Sequence, residues 1–266
     1  MKEIKYERVM IATDGSPASQ GAIEEGIRFA KMFGCKVYGI CVGELPLWGL
    51  QVIEAMQQRA KEIVEEVKIK AEAEGLECEV IPEVGDDIAD CIIREVEKNK
   101  INLVVVGKKA KRLFLGGIAI KVLGSAPCDV IVVPEGSKVG FEKFLVCVDG
   151  SVFSEIAAEK AFFIAKKTGA SVKVVAIAEN ENEKGFAEEA LEITNYLAQK
   201  YQIQPETQVE IAKDIAKKIV QVADEQKFSM IFMGSHGKSS EEYIIGDIIR
   251  KVFEITHVPI FVSKKA

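Results

Sequence analysis

The chain is poor in the residues that build metal and acid–base centres. Of its 266 residues one is tryptophan and two are histidine, and the six cysteines (Cys35, Cys41, Cys78, Cys91, Cys128, Cys147) contain no C-x-x-C pair. Neither a zinc site nor a disulfide framework is indicated; most of the cysteines sit inside apolar runs and read as small buried hydrophobes. His236 lies in a loop and His257 just ahead of Pro259, and the sequence places no metal or acid–base partner beside either. Each is expected in a surface or loop-packing role, and no Ser-His-Asp or Cys-His arrangement can be assembled. No apolar run approaches the roughly 20 residues that span a bilayer, and the opening M-K-E-I-K-Y-E-R has no apolar segment behind its charges. The expectation is a cytoplasmic protein without a membrane partner. Thirty-five basic against 41 acidic residues, a formal net charge of −6, argue against a general nucleic-acid-binding surface. Neither G-x-x-x-x-G-K-S/T nor G-x-G-x-x-G occurs, which removes the two commonest nucleotide-binding signatures.

What the chain does contain is an internal duplication. Residues 8–13 (R-V-M-I-A-T) lead into Asp14-Gly15-Ser16-Pro17-Ala18-Ser19, and residues 143–148 (K-F-L-V-C-V) lead into Asp149-Gly150-Ser151-Val152-Phe153-Ser154, at an offset of 135. Gly34-Cys35-Lys36-Val37 falls on Gly169-Ala170-Ser171-Val172 at the same offset. A register kept through two strands and a helix marks a repeated domain. The second helix differs between the halves, being longer in the first, where Glu66 and Lys70 form an i,i+4 pair, and shorter at 186–199 in the second. Third strands at 77–81 and 208–211 precede helix starts in which Asp87 and Asp214 are plausible N-caps. Buried strands at 103–106 and 230–233 follow, then glycine loops, short helices at 118–123 and 248–253, and last strands at 130–133 and 260–262. Each half reads β-α-β-α-β-α-β-α-β. The fold class expected is α/β: two tandem Rossmann-like domains, 1–137 and 138–266, each a five-stranded, mostly parallel sheet with helices on both faces. Residues 134–140 form the linker.

The stretch 229–247 (S-M-I-F-M-G-S-H-G-K-S-S-E-E-Y-I-I-G-D) is where a ligand is expected. An apolar run without alternation is a strand buried on both faces, and it ends abruptly at Gly234. Gly234 and Gly237 let backbone N–H groups approach a phosphate, and the helix start after Gly246 adds partial positive charge. A tight strand–helix turn that binds nothing reads equally well on spacing alone. Asp14 and Asp149, at the ends of the first strands, suit either helix capping or a hydrogen bond to a nucleotide.

The paired D-G-S-x-x-S openings, the G-S-H-G loop, L-G-G-I-A-I-K-V-L and A-P-C-D-V-I-V-V-P, in order along the chain, resemble the universal stress protein family in its tandem form. The resemblance implies a phosphate loop similar to G-x2-G-x9-G-S/T and backbone at Val42 and Ile177 bordering an adenine pocket. The second half has Gly234-Ser235-His236-Gly237, then eight residues, then Gly246-Asp247, so it is one residue short and carries an acid in place of the hydroxyl. A carboxylate facing a triphosphate is repulsive unless a metal bridges them. The first half has Gly107-x2-Ala110, five residues and Gly116-Gly117, with Lys108, Lys109, Lys111 and Arg112 as a basic turn that reads first as solvated.

The expected function is a stress-response binding module that holds ATP or a related adenine nucleotide in one half, more readily the second. Its two domains are expected to form an intramolecular pseudo-dimer through the last strands, and a homodimer is compatible with the fold. An interaction protein without a ligand is the alternative. A hydrolysing enzyme is the weakest reading, because no catalytic base and no metal site can be named.

Overall fold

The computed structural model describes residues 4–45, 50–109, 117–137, 140–237 and 245–264. The chain divides into two compact units, Met1–Gly136 and Ser137–Ala266. Elements of the first unit are β1 (Arg8–Ala12), α1 (Pro17–Phe33), β2 (Lys36–Glu44), α2 (Leu50–Ala73), β3 (Cys78–Gly85), α3 (Ile88–Lys98), β4 (Leu103–Lys108), α4 (Ile118–Ser125) and β5 (Asp129–Pro134). The second unit repeats the order with β6 (Lys143–Val148), α5 (Val152–Thr168), β7 (Ser171–Ala178), α6 (Lys184–Tyr201), β8 (Glu206–Ile211), α7 (Ile215–Glu225), β9 (Met230–Gly234), α8 (Asp247–Ile255) and β10 (Ile260–Ser263).

Strand order is β3-β2-β1-β4-β5 in one unit and β8-β7-β6-β9-β10 in the other, and the described pairings within each unit are parallel. Strands β5 and β9 are buried at every position, β9 as its unbroken apolar run requires. The order reverses direction between β1 and β4, and again between β6 and β9. At such a switch point the loops leave the strands' carboxyl ends to opposite sides and open a crevice, the place where parallel α/β sheets hold ligands.

Local chemistry sets the helix ends. Pro17 begins α1, where its missing N–H costs nothing, and Gly34 ends it at φ 68° with its N–H on the Ala30 carbonyl. The repeat copies the stop: Gly169 ends α5 at φ 77°. Asp87 accepts from the N–H groups of Ala89 and Asp90, and Asp214 from that of Lys217, so both anticipated caps form. The Ser151 side chain accepts from Ser154 N at the start of α5. Because Ser151 is almost fully buried, Ser151→Ala is expected to cost about 1 kcal/mol, readable as a fall in the second unit's urea midpoint.

Several expected boundaries move. The third strand continues through Pro82 to Gly85, paired to β2 throughout. Proline is tolerated because β3 is the edge of its unit's sheet and its nitrogen faces no neighbouring strand. Helix α6 runs from Lys184 to Tyr201, two residues longer at each end than its apolar spacing marks. Cys35, Cys41 and Cys91 are buried, but Cys78, Cys128 and Cys147 are only partly so, which corrects the expectation that most of the six are core; all six are free thiols. Glu66 and Lys70 pair at 2.8 Å. Among the described residues no helix is long and apolar enough to cross a membrane.

Candidate functional site

The second unit holds a cavity of about 690 Å³ at the carboxyl ends of β6, β7 and β9. Asp149 follows β6 directly and is tied into the turn: Ser151 N donates to its Oδ1 at 2.9 Å, and its own N–H meets Ser154 Oγ at 3.3 Å. Gly150 supports the turn at φ 73°, a conformation that side chains resist. The loop after β9 then passes close by. A Cβ on Gly237 would lie 2.9 Å from Asp149 Oδ2, so the second glycine brings the loop backbone against the carboxylate.

Gly234 has a different reason to be glycine. A Cβ there would stand 2.5 Å from the Phe153 carbonyl carbon and 2.7 Å from Ser154 N, so α5 is packed on the end of β9 at a distance only glycine permits. Ser235 is buried and does not line the cavity. Its N–H binds Ser263 O at 3.1 Å, its carbonyl accepts from Gly246 N at 3.3 Å, and its hydroxyl meets His236 Nδ1 at 2.9 Å. Ser235 thereby ties both ends of the loop to β10. His236 is 8% exposed, its ring centroid 4.9 Å from that of Phe153, with one edge on the cavity; His257 is exposed. Among the described residues no group of three or more His, Cys, Asp or Glu side chains could hold a metal ion.

Six expected residues therefore meet on one cavity: Asp149, Ile177, Gly234, His236, Gly237 and Gly246. Gly246 is the N-cap of α8 and supplies no side-chain cap, so that helix presents its first N–H groups to the same space. Asp247, its first residue, lines the cavity with an 83% exposed side chain loosely paired to Arg250 at 3.5 Å. Sequence reasoning missed the walls: Val175 and Ala176 of β7, Ile215 and Ile219 of α7, and Phe186 in the first turn of α6. The i,i+4 spacing of Ile215 and Ile219 was the available signal. Phe186 gave none, because an apolar residue in a helix's first turn reads as core. Cys147 also faces the cavity, and burial pushes its thiol pKa well up, away from nucleophilic chemistry.

In the first unit other parts of the chain touch the corresponding turn. Asp14 holds Ser16 through its N–H and hydroxyl, and its Oδ2 is 3.1 Å from Lys109 Nζ. Lys109 stands two residues after Gly107, as His236 stands two after Gly234. The pair is half exposed, so this lysine of the basic turn stays in contact with solvent while Asp14 holds it. Ile63 of the long α2 lies 3.2 Å from where a Cβ on Gly15 would be, and Met56 lies 3.4 Å from the same point on Gly43. Val42 sits on β2 opposite Glu83. Gly107 repeats the role of Gly234, a Cβ there falling 2.2 Å from the Ala18 carbonyl oxygen. Gly117 is the N-cap of α4; Gly116, Lys111 and Arg112 lie outside the described residues.

Partial burial disfavours the Asp14 anion, but the Ser16 hydrogen bonds and the Lys109 ammonium outweigh it and hold the carboxyl below its usual pKa. A depressed folded-state pKa adds stability above the unfolded value, and that stability is lost as pH falls through the folded value. Asp14→Asn is therefore expected to lower the first unit's stability at about pH 7 and leave it unchanged at about pH 2, by well under 1 kcal/mol because the carboxylate is half exposed. Urea melts at the two pH values check the sign.

Comparison with known proteins fits this duplicated architecture. The model of the universal stress protein family matches residues 5–134 and again 140–264. The chain belongs to the universal stress protein family. A universal stress protein of Methanocaldococcus jannaschii is 32% identical over 146 residues, 50% of this chain and 85% of that one. The crystal structure of a universal stress protein from Archaeoglobus fulgidus superposes with a TM-score of 0.80 at 25% identity, covering 97% of this chain and 98% of that one. A structure from Pseudomonas aeruginosa shares the fold at TM-score 0.68 and 15% identity, covering 97% and 92%. This universal stress protein is thus two family repeats in tandem, whose loops after the fourth strand differ in chemistry: lysines in the first, Ser-His-Gly in the second.

Proposed function

We propose that this tandem universal stress protein binds one adenine nucleotide per chain, in the second unit, and that the first unit is a structural partner that has lost its site. The cavity carries the reading. It lies at the switch point of a parallel sheet, is of small-ligand size, and joins the apolar surface of Ile177, Ile215 and Ile219 to the loop backbone and the N-terminus of α8. The apolar side suits a flat base, and the loop side and helix end suit ribose and phosphate oxygens. The first unit supports the division of labour, since Lys109 takes up Asp14 and α2 packs on its D-G-S turn.

Equilibrium dialysis with radiolabelled AMP and ATP, after stripping any carried-over ligand from the purified full chain, tests this. One equivalent bound per chain is expected. Two equivalents would show that the first unit also binds; none would favour an interaction protein that needs no ligand.

A further inference from the structure

We propose that Phe186 stacks on the ligand's base, covering it from the side opposite Ile215 and Ile219. This rests on the adenine reading of the cavity and names the side chain that recognises an aromatic base there.

Topology brings these groups to two sides of one space. Helix α6 leads outward from β7 to β8, and α7 leads from β8 back past β7 and β6 to β9. Right-handed crossovers that run in opposite directions lie on opposite faces of a sheet, and the packing agrees, with α6 against α5 and α7 against α8. Both helices begin at the carboxyl ends of the strands before them. Side chains on a helix tilt toward its N-terminus, so residues near a helix start reach over the strand ends. Phe186 does so from α6, and Ile215 and Ile219, stacked one turn apart, do so from α7; all three line the cavity together with Ile177 of β7.

Phe186 is 64% exposed. Single exposed apolar residues are ordinary on a protein surface, but this ring is open on the wall of a cavity. Tyr196, further along the same helix and 75% exposed, stands away from it. The entry to α6 is fixed by hydrogen bonds. The Asn180 side chain accepts from Asn182 N in a short 3-10 turn at Glu181–Glu183, and the Glu183 carboxylate accepts from Glu179 N at 3.3 Å and from the Asn180 side-chain amide at 3.2 Å. Phe186 is thereby carried at the mouth before a ligand arrives. A purine laid against Ile177 turns one face to the isoleucines of α7 and the other to the phenyl ring. Such a base–aromatic stack is worth about tenfold in affinity.

Isothermal titration of AMP into the full chain and its Phe186 variants tests this. Phe186→Ala is expected to weaken AMP about tenfold, Phe186→Leu, which keeps apolar bulk without a ring, nearly as much, and Phe186→Tyr to stay within about twofold of the parent. Tyr196→Ala should leave affinity unchanged. The ring contact also has an optical signature: in Phe186→Trp, AMP should quench indole emission beyond any change in the parent, whose one tryptophan is Trp48, and ribose 5-phosphate, which has no base, should not. AMP affinity unmoved by Phe186→Ala, an equal loss in Phe186→Tyr, or an indole that AMP leaves unquenched overturns the inference while leaving the adenine site standing. Absence of AMP binding by the parent chain removes the adenine reading and the inference with it.

Discussion

Gly107→Ala is expected to destabilise the first unit by roughly 3 kcal/mol or more, and Gly234→Ala the second by a similar amount, although neither adds more than a methyl group. The methyl on residue 107 would lie 2.2 Å from the Ala18 carbonyl oxygen and 2.9 Å from its carbon; on residue 234 it would lie 2.5 Å from the Phe153 carbonyl carbon. The obstacle in each case is helix backbone, which can give way only by moving α1 or α5 off its sheet. Gly237 makes a contrast: its obstacle is the tip of the Asp149 carboxylate at 2.9 Å, which can swing aside. Gly124, inside α4 with nothing within 4 Å of an added Cβ, is the control, and alanine there should stabilise by about 0.5–1 kcal/mol. Urea melts that follow each unit separate these outcomes. Equal midpoints for Gly107→Ala and Gly124→Ala would show that the close helix–strand approach does not exist.

The second large effect concerns binding. Ile177→Trp is expected to weaken AMP binding by at least a hundredfold, about 2.7 kcal/mol, because the indole would occupy the apolar wall where the base is placed. Ile177 is only partly buried and faces the cavity, so the larger ring enters open space and the unit's melting midpoint should hold. The matched change in the first unit, Val42→Trp, should leave AMP affinity unchanged. Loss of binding with Val42→Trp and retention with Ile177→Trp would place the ligand in the wrong half for this account.

The duplication, the alternation of strands and helices and the glycine side of the cavity were legible in sequence because they depend on periodicity and on glycine. A repeat held at one offset fixes the topology twice, and a fully apolar run such as Met230–Met233 admits little besides a central strand. The meaning of the glycines was less legible. Gly234 and Gly237 look alike on the page, yet one answers to helix packing and the other to the turn that carries Asp149. Spacing cannot tell these apart, because both demands are met by the same missing Cβ. The contacts on the first unit's turn were also hidden: they come from Ile63 and Lys109, 48 and 95 residues from the Asp14 turn they act on, and only tertiary contact joins them. Glu179 and Glu183, which also line the cavity, could have been placed there had the loop after β7 been counted as part of the site.

Co-crystallisation of the full chain with AMP is the most direct test of the central claim, that one of two duplicated sites remains open. The account predicts AMP in the second unit, its base against Ile177 and its phosphate toward Gly237 and the start of α8, with Lys109 still on Asp14 in the first. AMP bound beside Asp14 with that ion pair broken, or no AMP in the second-unit cavity at saturating concentration, would contradict it.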